Sequence, residues 1–374
     1  MSKKAKIIIT IVVVIVFISL IWQNVVRQPE VISTDPIKIG LIAPLSGGAA
    51  SWGQNVLAGV SLAVKEINDS NGFKGKKIEL VVEDDQCNPG LGISSVNKLI
   101  QIDNVSGVLA VCAASAGAIL PIVQENNIST ILVLASTPHF TKLGDYIFRV
   151  NASDSNQAEF AADFIYNKLR KTRVAVVYVK NESGQGMKDF FTEEFISLGG
   201  EIVYVSGVSQ EEKDLRTEIA KIKDIKADTL FFPVYPVNAV SGLKQIKEMN
   251  LEIPVVGYAP FGGVEIVESG YAEGVMFTTP KIGLTEEFGK LVNSLPGFEN
   301  LKIQFSSSLG YDATKVLYSA IEQGGGSSEK TKKALAKTSY SGISNPLIQF
   351  DVNGDILNPI FEMKMIKDKK VVDY

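Results

Sequence analysis

Apolar residues recur along the chain in two alternating registers. Short continuous runs, "IKIGLIA" (37–43), "IELVVE" (78–83), "GVLAV" (107–111) and "TILVLA" (130–135), are separated by stretches whose apolar residues return every three or four positions, as Val56, Leu57, Val60, Val64 and Ile67 do. Runs of strand length without polar alternation are strands covered on both faces, and the stripes between them are amphipathic helices. The order predicts a parallel sheet wrapped by helices. A second series begins near Asn151 with the helix "NQAEFAADFIYNKL" and continues through strands at 173–179, 201–208, 229–235, 253–258 and 274–279, with helices between the first four. The helices "TEEFGKLVNSL", "GYDATKVLYSAIEQ" and "SEKTKKALAKT" follow, and then "LIQFDVNGDILNPIFEMKMI", two strands around Asn353-Gly354 with a type I′ hairpin signal. The fold class is α/β, with two doubly wound parallel-sheet halves.

The chain ahead of the first strand reads differently. "MSKKAK" is basic, and Ile7 to Trp22 carry no formal charge; "QNVV" extends this run to about the 20 residues that a helix needs to cross a bilayer. A cleaved signal and a retained anchor are both open. No Ala-x-Ala-like site and no lipidatable cysteine follows, which favours an N-terminal transmembrane helix that is kept. Lys3, Lys4 and Lys6 outnumber Arg27, so the N-terminus is expected in the cytoplasm and the rest outside. The expected location is extracytoplasmic, anchored by that helix, or secreted if it is cut.

Lys and Arg total 37 against 41 Asp and Glu, a net charge of −4, which offers no basic field for nucleic acid. One histidine, His139, cannot build a His-rich metal site, and Asp351, Asn353 and Asp355 lack the spacing and distal Glu of a calcium loop, so no metal is expected. There is no Gly-x-Ser-x-Gly elbow, no phosphate loop and no complete Gly-x-Gly-x-x-Gly, so the chain is expected to be neither an enzyme nor a cofactor carrier. Cys87 and Cys112 are the only cysteines. Outside the cytosol they can form a bridge, and two buried thiols are the other reading.

Open α/β sheets bind ligands beyond the C-terminal ends of their strands, and three such turns are rich in small and hydroxyl residues. "PLSGGAASWG" presents Ser46 and Trp52, "CAASAGA" presents Ala113 and Ser115, and "STPHFT" begins with Ser136 and Thr137 after Ala135. Turns of this kind offer backbone N–H groups and hydroxyls at positive helix ends, a receptor for a carboxylate or another small polar group.

From Ile37 to Tyr311, and more loosely to Asp351, the chain resembles the type I periplasmic solute-binding proteins of the leucine/isoleucine/valine-binding group. The stretches that carry the likeness are "IGLIAPLSGGAASWGQNVLAGVSLAVKEINDSNGFKGKKIELVVEDDQCNPG", "AEFAADFIYNKLRKTRVAVVYVKNESGQGM", "LGGEIVYVSGVSQEEKDL" and "SLGYDA". The resemblance implies two doubly wound parallel-sheet lobes joined by a three-strand hinge and closing on a solute, with 37–152 plus 280–342 as one lobe and 153–279 plus 343–374 as the other. It implies a Cys87–Cys112 disulfide. It implies ligand contacts at Trp52, Ala113, Ser115, Ala135 and Thr137 from the first lobe, with Ser46 and Ser136 beside them, and at Ser183, Tyr235 and Tyr258 from the second. The family's tyrosine before the Gly-x-Gly turn is Ser183 here, and its acidic partner for a ligand ammonium is expected in Tyr258–Val264, which holds no Asp or Glu. This counts against a branched-chain amino acid and in favour of an amide, a carboxylate or another small polar solute, within an expected ligand class of an amino acid or a related small polar solute. ABC permease subunits are the expected partners, and a sensing domain of the same fold is the alternative.

Overall fold

The computed structural model describes residues 36–70, 72 and 75–374. The apolar stretch read as a membrane segment lies outside them. Among the described residues no helix is long and apolar enough to cross a membrane.

The first half is a five-stranded parallel sheet of order β2-β1-β3-β4-β5, built from β1 (Ile37–Ala43), β2 (Ile78–Asp84), β3 (Gly107–Ala110), β4 (Thr130–Leu132) and β5 (Ile147–Arg149). Both faces of β1 are buried. Ile39 and Leu41 pack into one core with Val56 and Val60 of α1 (Ala50–Asp69), while Ile42 packs into another with Val96 and Leu99 of α2 (Pro89–Gln101) and Ile119 of α3 (Ala113–Glu125). Coverage on both faces is the reason for the unbroken apolar runs. α1 lies so close to a later helix that a Cβ on Gly59 would meet the Ser307 carbonyl oxygen at 1.8 Å.

The second half holds β6 (Arg173–Val179), β7 (Glu201–Val208), β8 (Thr229–Phe231), β9 (Val255–Gly257), β10 (Met276–Pro280), β11 (Phe361–Lys367) and β12 (Lys370–Asp373), in the order β12-β11-β10-β9-β8-β6-β7. The sheet is parallel from β7 to β10, but β10–β11 and β11–β12 are antiparallel, so it is mixed at one side rather than wholly parallel. Its helices are α4 (Asp154–Asp163), continued by a π-helical turn at Phe164–Lys168, α5 (Glu182–Ser197), α6 (Arg216–Asp224), α7 (Pro236–Glu248) and the short α8 (Val264–Val267). Stacked Phe191 and Phe231, with centroids 4.0 Å apart, sit in its core.

Between β10 and β11 the chain returns to the first sheet as α9 (Glu286–Asn293), α10 (Phe305–Gly324) and α11 (Ser328–Leu335). Leu309, Val316 and Leu335 join the core of α1. The chain therefore passes between the halves three times. The last return comes later than the boundary expected at 343, because Ile348, Phe350 and Ile356 pack into the first core and Arg149 N–H donates to the Gly354 carbonyl at 2.9 Å. Gly354 has a positive φ of 90°, but Asn353 does not share it, so the expected type I′ turn is replaced by one in which Asp351 Oδ1 accepts from the N–H groups of Asn353 and Asp355.

Candidate ligand-binding site

In both sheets the order of strands reverses between two neighbouring parallel strands. These are β1 and β3 in the first half and β6 and β8 in the second, the crevice positions of a doubly wound sheet. After β1, Ser46 Oγ donates to Asp84 Oδ2 at 2.6 Å, and Leu45 N–H donates to Asp84 Oδ1 at 2.9 Å. Partial burial pushes the Asp84 carboxyl up, and the hydroxyl and backbone N–H donors outweigh it, leaving the pKa below the ordinary value. The turn is thereby tied to the end of β2. Trp52, near the start of α1, is 51% exposed and meets Phe305 edge-on at 6.2 Å.

After β3 the expected disulfide is present, Cys87 to Cys112 with Cα atoms 5.4 Å apart. Cys112 is the N-cap of α3, and the first intrahelical bond is Ala116 N–H to its carbonyl, so the N–H groups of Ala113 and Ala114 begin the helix without an intrahelical acceptor. Ser115 does not fit its expected role. It is 2% exposed, and its hydroxyl is hydrogen-bonded to the fully buried Asp85, whose other oxygen accepts from Cys87 N–H at 3.0 Å. This hydroxyl braces the disulfide loop from within.

After β4, Ala135 and Thr137 are both buried, and their carbonyls turn toward the fully buried guanidinium of Arg149, 3.5 Å and 2.7 Å from Nη1. Arg149 Nε donates to Asp355 Oδ1 at 2.8 Å, and a second contact from Nη2 completes the ion pair. One side chain therefore joins the end of β5, the turn after β4 and the last crossover.

In the second half, Ser183 Oγ donates to Asp154 Oδ2 at 2.6 Å, Asn181 Nδ2 donates to the Tyr235 hydroxyl at 3.0 Å, and Asp154 N–H donates to the Ser136 carbonyl at 2.9 Å. Burial raises the Asp154 carboxyl above its ordinary 3.8, while the hydroxyls of Ser183 and Ser136 and the charge of Arg149 pull the other way. Tyr258 is 5% exposed, and burial, then the charge of Asp154 and then Tyr235 push its hydroxyl well above the ordinary range. Ser136, Ser183 and Tyr258 are thus gathered about Asp154, with Tyr235 held by Asn181. Ser46 and Trp52 stand on a separate turn of the first half. The two halves also touch directly, His139 against Phe190 with ring centroids 5.3 Å apart and Pro138 against Gly186.

Asp154 and Arg149 were not singled out in the sequence. Asp154 follows Ser153, whose Oγ accepts from Ser155 N–H as an N-cap, so it reads as an ordinary acidic first-turn residue. The signal was an Arg and an Asp closely spaced at the passage from one series of strands to the next.

Two doubly wound halves, joined by three crossovers and meeting at Ser136–Asp154 and His139–Phe190, have the architecture of a two-lobed receptor for a small solute. A family model described as periplasmic binding protein matches residues 36–370, and the chain belongs to that family. It is 28% identical over 346 residues to Leu/Ile/Val-binding protein homolog 3 of Brucella melitensis, covering 90% of this chain and 93% of that one. It is 26% identical over 332 residues to the Leu/Ile/Val-binding protein of Escherichia coli K12, covering 86% and 88%. The crystal structure of a leucine-binding protein from Thermotoga maritima, 25% identical, matches with a TM-score of 0.74 over 90% of this chain and 97% of that one.

Proposed function

We propose that the protein captures a free amino acid between its lobes and hands it to the permease of an ABC importer, held at the outer face of the membrane by its N-terminal segment. The observation that carries the ligand class is Asp154. It is a buried carboxylate whose bonded donor is a hydroxyl, and among the described residues no Lys or Arg lies within 4 Å of it. A ligand ammonium adds a cation nearer to it than Arg149, and Asp154 stands in for the acid that Tyr258–Val264 lacks. The opening N–H groups of α3 suit the ligand carboxylate, and Trp52 and Tyr235 suit its side chain. Relatives named for leucine, isoleucine and valine favour an aliphatic side chain. Contacts from both lobes make the closed form the better binder, so the solute shifts a hinge equilibrium, and no bond is made or broken.

Isothermal titration of the full-length chain in detergent with amino acids, their amides and their deaminated acids tests this. One amino acid is expected to bind with a dissociation constant of about 1 μM, roughly 8 kcal/mol, and its deaminated acid is expected not to bind. Trp52→Ala with Tyr235→Ala abolishes the heat. Equal binding of the deaminated acid removes the role given to Asp154, and unchanged binding in the double variant removes the cleft assignment.

A further inference from the structure

β5 is the edge strand of the first sheet, and a cavity of about 690 Å³ lies over it, between the 3-10 turn at Phe140–Leu143, the end of α11 and the turn at Asp351–Gly354. That volume is in the range of sites for small organic ligands. Its chemistry is divided. Phe148 and Phe350, packed edge to face with centroids 5.2 Å apart, supply an apolar wall. Lys142, Lys332 and Lys333 supply three ammonium groups. Lys142 has no acidic partner within 4 Å among the described residues, whereas Lys332 meets Asp145 and Glu329 at 3.5 Å and 3.1 Å and Lys333 meets Glu329 at 3.2 Å. Two acids also line the cavity. Asp351 is taken up by its own turn, accepting from the N–H groups of Asn353 and Asp355, and the Asp145 side chain, 80% exposed, stands at the rim. Thr141, 2% exposed, lines the same wall with its hydroxyl buried and unpartnered. A buried hydroxyl without a partner is disfavoured by about 1–3 kcal/mol, which marks a place where a polar atom is missing.

We propose that this cavity is a second binding site, separate from the cleft between the lobes, for a small organic anion with a flat apolar body. The anionic group meets Lys142 and Lys332, and the apolar body lies against Phe148 and Phe350. The site uses no residue of the amino-acid site and stands whether or not that reading holds.

The probe is 8-anilinonaphthalene-1-sulfonate, an aromatic sulfonate whose fluorescence rises on apolar contact. It is titrated into the full-length chain carrying Trp52→Ala and Tyr235→Ala, so that cleft binding does not contribute. Saturable binding is expected. Added to that background, Ala336→Trp fills the cavity from the exposed end of α11, and Lys142→Glu reverses the unpaired charge; each is expected to weaken binding at least about tenfold while the melting curve is retained. A dissociation constant unchanged in either variant, or no saturable binding in the background, overturns the proposal.

Discussion

Asp154 acts in opposite directions on stability and on binding. Its carboxyl titrates above the ordinary 3.8 in the folded protein because burial disfavours its charge. The folded state therefore holds this proton more tightly than the unfolded state, and the stability contributed by the protonated form is complete below the ordinary carboxylate pKa and lost as pH rises through the raised one. Above that raised value the unliganded protein carries an unfavourable charge that a ligand ammonium relieves. Asp154→Asn keeps the shape and an acceptor for Ser183 without the charge. Its expected outcome is a melting-temperature gain without ligand that is larger at pH 7 than at pH 4, growing as pH rises through the raised carboxyl value, and amino-acid affinity weaker by at least about tenfold, since removing one partner of a buried charge pair costs about 3–5 kcal/mol. Calorimetry at the two pH values and titration of the same variant check both signs. A lower melting temperature with undiminished affinity defeats the argument.

The turns that leave the strands show where the sequence was legible and where it was not. The small and hydroxyl residues after β1, β3 and β4 were visible because helix starts select them, and the structure brings Ser136 to Asp154 and leaves Trp52 exposed. The direction of each hydroxyl was not visible. Ser115 lies two residues beyond Ala113, and about half a turn of helix carries it inward to the fully buried Asp85. Strands β4, β8 and β9 are three residues each, shorter than their apolar runs, because the residues past their ends stay buried as they enter the turns. The disulfide closes a loop with a sequence separation of 25, a stabilisation of about 3.5 kcal/mol in the chain-entropy model, and Ser115 supports it from inside. Ser115→Ala leaves Asp85 one donor short and is expected to lower stability by about 1–3 kcal/mol in urea denaturation, with ligand affinity within about twofold of the parent. A large loss of affinity at unchanged stability would return Ser115 to the ligand.

The two sheets and most of their helices followed from apolar periodicity alone, since both halves are wound in the same way. What periodicity could not place was the last passage from the first half to the second, because "LIQFD" has the composition of a strand and nothing local tells which sheet it serves. Arg149 decides it. Its guanidinium takes Asp355 into the first half and fixes the carbonyls of Ala135 and Thr137 in the same network, so the last crossover and one of the proposed ligand turns move together. Closure is then expected to be limited by how nearly the halves approach outside the site. One close approach is at Gly186 in α5, where a Cβ would meet Pro138 Cγ at 2.7 Å, with His139 and Phe190 in contact beside it. A proline ring cannot swing aside as a flexible side chain does, so a branched residue at 186 must push the halves apart. Gly186→Val touches none of the residues assigned to the ligand, and valine is no poorer than glycine in a helix. Its expected result is a larger radius of gyration by small-angle X-ray scattering without ligand, a smaller contraction on adding the bound amino acid, and affinity weaker by about tenfold or more with an unchanged melting temperature. A variant that contracts and binds as the parent does would mean that this contact lies outside the closing motion, and the hinge would have to be sought elsewhere along the three crossovers.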